Sequence, residues 1–113
     1  MKKRLVITGM GAVTPIGTGT DKYWNNLIHG ECGVDHITRF DASNLPVQIA
    51  AEVKDFEPKN YISAKLIREM DLFQQFAFAA ATEALEQSGF PVEEESQRIG
   101  IVMATALKSK ICA

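Results

Sequence analysis

The stretch from Asp71 to Ser88 constrains this chain more than any other, because it predicts a helix that is apolar on more than one side. Leu72, Phe73, Phe76, Ala77, Ala80, Ala84 and Leu85 recur at helical spacing and form one wide face. Phe78, Ala79 and Ala81 extend it, and a helix of that kind requires cover from several directions. Asp71 stands where an N-cap is needed, and Gln74, three residues on, completes a capping box. Gly89 and Pro91 end the helix.

Two short apolar runs flank it. Leu5-Val6-Ile7-Thr8 reads as a buried strand that stops at Gly9, and Ile99 to Met103 reads as a second one after the acidic loop Glu93-Glu94-Glu95. Two such strands joined through a long helix predict a right-handed βαβ crossover with parallel strands. Val47, Ile49, Ala51 and Val53 alternate with Gln48, Ala50, Glu52 and Lys54, the pattern of an added edge strand. The expected fold class is therefore α/β, with a thin sheet and a helical excursion over residues 20–62 that covers part of the long helix. Within the excursion, Thr20 is the expected N-cap of a helix from Asp21 to His29, with Trp24, Leu27 and Ile28 on one face and Gly30 as the stop. Residues 33–45 show no period. Ser63 opens a short basic helix that carries Lys65 and Arg68.

At 113 residues one domain is expected. A net charge of −2 argues against nucleic acid as a partner, since such domains carry a basic stripe. No apolar run reaches the roughly 18 residues of a membrane span. Met1-Lys2-Lys3-Arg4 has the charge that starts a signal peptide, but Gly9, Gly11 and Pro15 break the apolar run behind it. A cytoplasmic location follows as the expectation. Cys32 and Cys112 belong to no CxxC, and His29 and His36 form no zinc-type set with them, so no metal is expected.

Gly9-x-Gly11 after a strand invites a dinucleotide-binding reading. Thr14 stands where the third glycine belongs, and Pro15 removes an N–H group. A tight turn off the strand is the better reading, and no cofactor is expected. A reactive cysteine needs a helix N-terminus or a histidine beside it; Cys112 has neither in prospect, and Cys32 reads as a small apolar filler. Lys65 and Arg68, one turn apart, read from spacing alone as a solvated basic face. No pair of carboxylates has a visible acid–base role, so no catalytic residue is assigned.

The run Leu5-Val6-Ile7-Thr8-Gly9-Met10-Gly11-Ala12-Val13-Thr14-Pro15-Ile16-Gly17 resembles the opening of the β-ketoacyl-acyl-carrier-protein synthases, condensing enzymes of the thiolase-like fold. Trp24-Asn25-Asn26-Leu27, Gly30-x-x-Gly33, Ile37-Thr38-Arg39-Phe40-Asp41-Ala42-Ser43, Ala50-Ala51-Glu52-Val53-Lys54-Asp55-Phe56, Met70-Asp71-x-Phe73 and Arg98-Ile99-Gly100 continue the likeness in register. The synthase II branch is the nearest. The resemblance implies a partial thiolase-like fold and a decarboxylative Claisen condensation in fatty-acid elongation. It also implies acyl carrier protein as a partner, a homodimer, and carrier contact through Lys65 and Arg68, where Glu69 departs from the family's basic pattern. The cysteine, two histidines and lysine that perform the family's chemistry match no residue here. Residues 1–107 are thus expected to be an incomplete N-terminal part, inactive alone, and residues 108–113 an unmatched tail gained by truncation or frameshift. A residual carrier- or subunit-binding module is the alternative; a small nucleotide-binding protein is a third reading, which Thr14 and Pro15 oppose.

Overall fold

A computed structural model describes residues 2–106. Its longest element is the expected helix, α3, Leu72–Ser88. The Asp71 N–H donates to Gln74 Oε1 at 2.8 Å, and Gly89 closes the other end in the left-handed conformation with φ 62°. Six shorter elements precede it: β1 Val13–Thr14, β2 Gly17–Thr18, α1 Thr20–Ile28, β3 Val34–His36, β4 Ile49–Ala51 and α2 Ala64–Glu69. Three-residue 3₁₀ turns stand at Pro58–Asn60 and Ser96–Arg98.

The sheets are small and antiparallel. β1 pairs with β2 as a hairpin, Val13 opposite Thr18 and Thr14 opposite Gly17, so the glycine-punctuated region turns back on itself through Pro15 and Ile16. β4 is the core of the expected edge strand. Its partner β3 lies in the stretch that showed no period, with Val34 opposite Ala51 and His36 opposite Ile49. Short two-strand ribbons carry little periodicity because neither face is well buried.

Leu5–Thr8 and Ile99–Met103 depart from the expectation of buried strands. Neither joins a ladder among the described residues, and both stand out in solvent, with Leu5 91% and Val102 94% exposed. An apolar run becomes a strand only when another backbone lies alongside to take its N–H and C=O groups. The α/β class stands as helices with small sheets, while the parallel crossover is not closed here. Cys32 is also exposed rather than a packed filler. At α1 the cap is Gly19, with φ 94°, and Thr20 is the first helical residue.

The core is thin. Among the described residues, Ala42, Ile62 and Ala79 are the buried apolar side chains, with Gln75 the buried polar one. Phe56 meets Phe76 of α3 edge-on at 5.0 Å and stacks on Tyr61 at 5.9 Å, which ties the segment leading into α2 onto the long helix. Further along α3, the backbone at Gly9 and Gly11 lies directly on it. A methyl group at Gly11 would sit 1.8 Å from the Ala80 carbonyl oxygen, and one at Gly9 2.0 Å from that of Ala84. These glycines therefore serve close approach to a helix as well as the turn.

Candidate functional site

Lys65 and Arg68 lie on α2, both exposed, with Ser63 at the N-cap position as expected. Arg68 Nε donates to the Ala64 carbonyl at 3.3 Å, which steadies the stem along its own helix. The C-terminal end of α2 is fixed from α3: the buried Gln75 amide donates to the carbonyls of Ile67 (3.3 Å) and Met70 (3.0 Å). Those carbonyls would otherwise be orphans of a helix end. The basic helix is thereby held on a definite side of α3. Among the described residues the ion pairs are Lys22–Asp55, Lys54–Asp35 and Arg98–Glu95, so neither Lys65 nor Arg68 is neutralised by one.

The glycine loop does not offer a phosphate cradle. The Met10 N–H donates to Gln87 Oε1 (2.6 Å), the Ala12 N–H to Glu83 Oε2 (3.0 Å) and the Thr20 N–H to Glu83 Oε1 (2.6 Å). The Gly19 N–H goes to the Ala12 carbonyl at 2.8 Å. An incoming phosphate would find these donors taken, two of them by a carboxylate of its own sign. Glu83 was not singled out from sequence. The available signal was an acid flanked by Ala80, Ala81, Ala84 and Leu85 on the apolar stretch of α3, where a charge has to find partners. Burial pushes its pKa up, but the Thr20 and Ala12 amides outweigh burial and hold the carboxyl below its ordinary value.

Two hollows complete the candidates. A groove of about 440 Å³ runs between α3 and the segment after Gly100, with Phe73, Ala77, Phe78 and Ala81 on one wall and Ile101 and Met103 on the other. Its chemistry is that of an apolar occupant. A smaller one of about 240 Å³ lies by the hairpin and includes Lys22, Asn26, Cys32, Lys54 and Asp55. There the Lys22 ammonium hydrogen-bonds Asp55 and lowers its pKa against opposing burial, with the Thr18 hydroxyl adding a contact at 3.2 Å. Cys112 lies outside the described residues.

Among the described residues, a basic helix is thus docked on a largely apolar one, with a glycine turn pressed against that same helix. The chain belongs to the β-ketoacyl synthase family: the family described as "Beta-ketoacyl synthase, N-terminal domain" matches residues 2–111. Among its relatives is the 3-oxoacyl-[acyl-carrier-protein] synthase 2 of Coxiella burnetii, 45% identical over 94% of this chain and 26% of the relative. The enzyme of the same name from Vibrio cholerae is 40% identical over the same shares. Among solved structures, the ishigamide ketosynthase/chain length factor superposes with a TM-score of 0.70 at 37% identity, over 79% of this chain and 22% of that one. The chain thus spans about a quarter of the length of the curated relatives it matches.

Proposed function

We propose that this chain is the N-terminal part of a 3-oxoacyl-acyl-carrier-protein synthase, whose whole protein elongates fatty acids by decarboxylative Claisen condensation. In that reaction an acyl group passes from acyl carrier protein to a cysteine. Malonyl-carrier protein then loses carbon dioxide, and the resulting carbanion attacks the acyl thioester and releases the cysteine thiolate. The observation that carries the reading is the 45% identity to the Coxiella burnetii enzyme across nearly the whole chain. A cytoplasmic location is part of the same reading. It is compatible with the described residues, in which no helix is long and apolar enough to cross a membrane. A second ketosynthase-type subunit as partner is supported by the ketosynthase/chain length factor likeness.

Alone, the 113-residue chain is expected to form no 3-oxoacyl product from acyl- and malonyl-carrier protein. The chemistry requires a cysteine at a buried helix N-terminus facing two histidines. Cys32 is exposed in the link between α1 and β3, and His29 Nδ1 is occupied by the Asn25 carbonyl at 2.7 Å. Product above a no-protein control that disappears in Cys112→Ala overturns this expectation.

Lys65 and Arg68 are the proposed contact for the acidic carrier protein. Their exposure one turn apart on α2, and the anchoring of α2 by Gln75, support that role. Exposed charges act mainly on encounter and are screened by salt over about 8–10 Å at physiological ionic strength. Binding of labelled carrier protein should therefore be weak, decline as salt rises, and fall in the double variant Lys65→Glu, Arg68→Glu. Tight binding that ignores both salt and the double change would exclude an electrostatic contact.

A further inference from the structure

We propose that Glu83 is an acid-released clasp that holds the hairpin and the start of α1 onto α3. Its two oxygens bind two different segments: Oε1 accepts from the Thr20 amide at 2.6 Å and Oε2 from the Ala12 amide at 3.0 Å. The first of these replaces the side-chain cap that Gly19 cannot supply to α1, and it sets a negative charge at the positive end of that helix. One turn along α3, Gln87 takes the Met10 amide at 2.6 Å, and the Thr20 hydroxyl donates to the Met10 carbonyl at 3.3 Å. The three donors are thus gathered along one edge of α3, where Gly9 and Gly11 let the backbone come close.

The clasp needs a carboxylate. Glutamine has a single acceptor oxygen and would turn its NH₂ group toward the second N–H. Protonation does the same with a hydroxyl, since one oxygen becomes a donor facing a donor. Residues 9–19 carry no titratable side chain. On α1, Asp21 adjoins Thr20 and Lys22 is held by Asp55, while on α3 Glu86 and Gln87 follow Glu83. Burial raises the Glu83 pKa and the amide hydrogen bonds lower it further than burial raises it, so the net direction is down from 4.5. A depressed folded pKa means that the clasp contributes fully above the unfolded value and is lost as pH falls through the lower folded value.

The test is a carboxyl-carbon NMR titration of Glu83 in the full chain and in the urea-unfolded chain. Glu83 is expected to titrate at lower pH in the native chain. Thr20→Pro removes one donor at the first helical position, which accommodates proline. With the helical signal retained, it should move the Glu83 titration back toward the unfolded value. In Glu83→Gln the Ala12 amide should exchange with solvent about tenfold faster or more, as expected for losing a hydrogen bond to a charged acceptor. Native Glu83 titrating at its unfolded value, or an Ala12 amide whose exchange is unchanged in Glu83→Gln, would overturn the clasp.

Discussion

Gly11→Ala is expected to detach the hairpin from α3, whereas Gly100→Ala leaves the chain unaffected. The added methyl group at position 11 would lie 1.8 Å from the Ala80 carbonyl oxygen and 2.7 Å from its carbon. Both are backbone atoms of a helix, so no flexible side chain can move aside. Relief requires the whole segment to lift, and lifting it breaks the Met10 and Ala12 bonds to Gln87 and Glu83. Overpacking of this kind costs about 1–3 kcal/mol, with the lost hydrogen bonds to be added. Gly100 has open space around it and an ordinary φ, so its substitution should stay within about 0.5 kcal/mol. Hydrogen exchange at Met10, Ala12 and Thr20 would separate the two variants. Equal protection in both would show that the loop does not need its close seat on α3.

The second large effect is association. A compact protein of 12.4 kDa exposes about 6,100 Å², whereas this chain exposes 9573 Å². Its radius of gyration is 17.0 Å, against about 13 Å for a compact domain of this length. The excess is apolar to a large degree: Leu5, Val6, Ile7, Trp24, Ile101 and Val102 are all exposed. Surface of that extent marks an interface or an aggregation liability. The purified chain is expected to bind a hydrophobic dye, to elute as associated species and to melt without a sharp transition. A dye-negative monomer with a cooperative melt would show that these residues close their own core in solution.

What could be read from the sequence was local. α1 and α3 follow from apolar spacing and caps within a few residues, α2 from the Ser63 cap position and its basic pair, and β4 from an alternation broken only at Ala50. The partner of β4 was not legible, because Val34, Asp35 and His36 alternate against nothing that fixes a face. Leu5–Thr8 and Ile99–Met103 were recognisable as apolar runs, yet strand formation depends on a neighbour that no local pattern encodes. The basic pair on α2 was visible as a spacing; its anchoring by Gln75 was not, since a buried glutamine in an apolar helix looks like any other polar position. Gly9 and Gly11 were visible as a turn. Their seat against Ala80 and Ala84 joins glycines two apart to alanines four apart, and it appears only when both segments are considered together.

The bonds between the glycine loop and α3 join residues 63 to 77 positions apart. During synthesis at about 5–20 residues per second, the ribosome therefore extends the chain for roughly 3–15 s between making the first partners and making the second. Throughout that interval the Met10, Ala12 and Thr20 amides have only water in place of the Gln87 and Glu83 oxygens that later accept from them. Loop closure over such a span costs only logarithmically more than over a short one. The delay is thus a matter of order of appearance rather than of free energy. In a nascent chain stalled before Glu83 emerges, the Met10, Ala12 and Thr20 amides should exchange freely with solvent, and they should gain protection only once α3 is outside the tunnel.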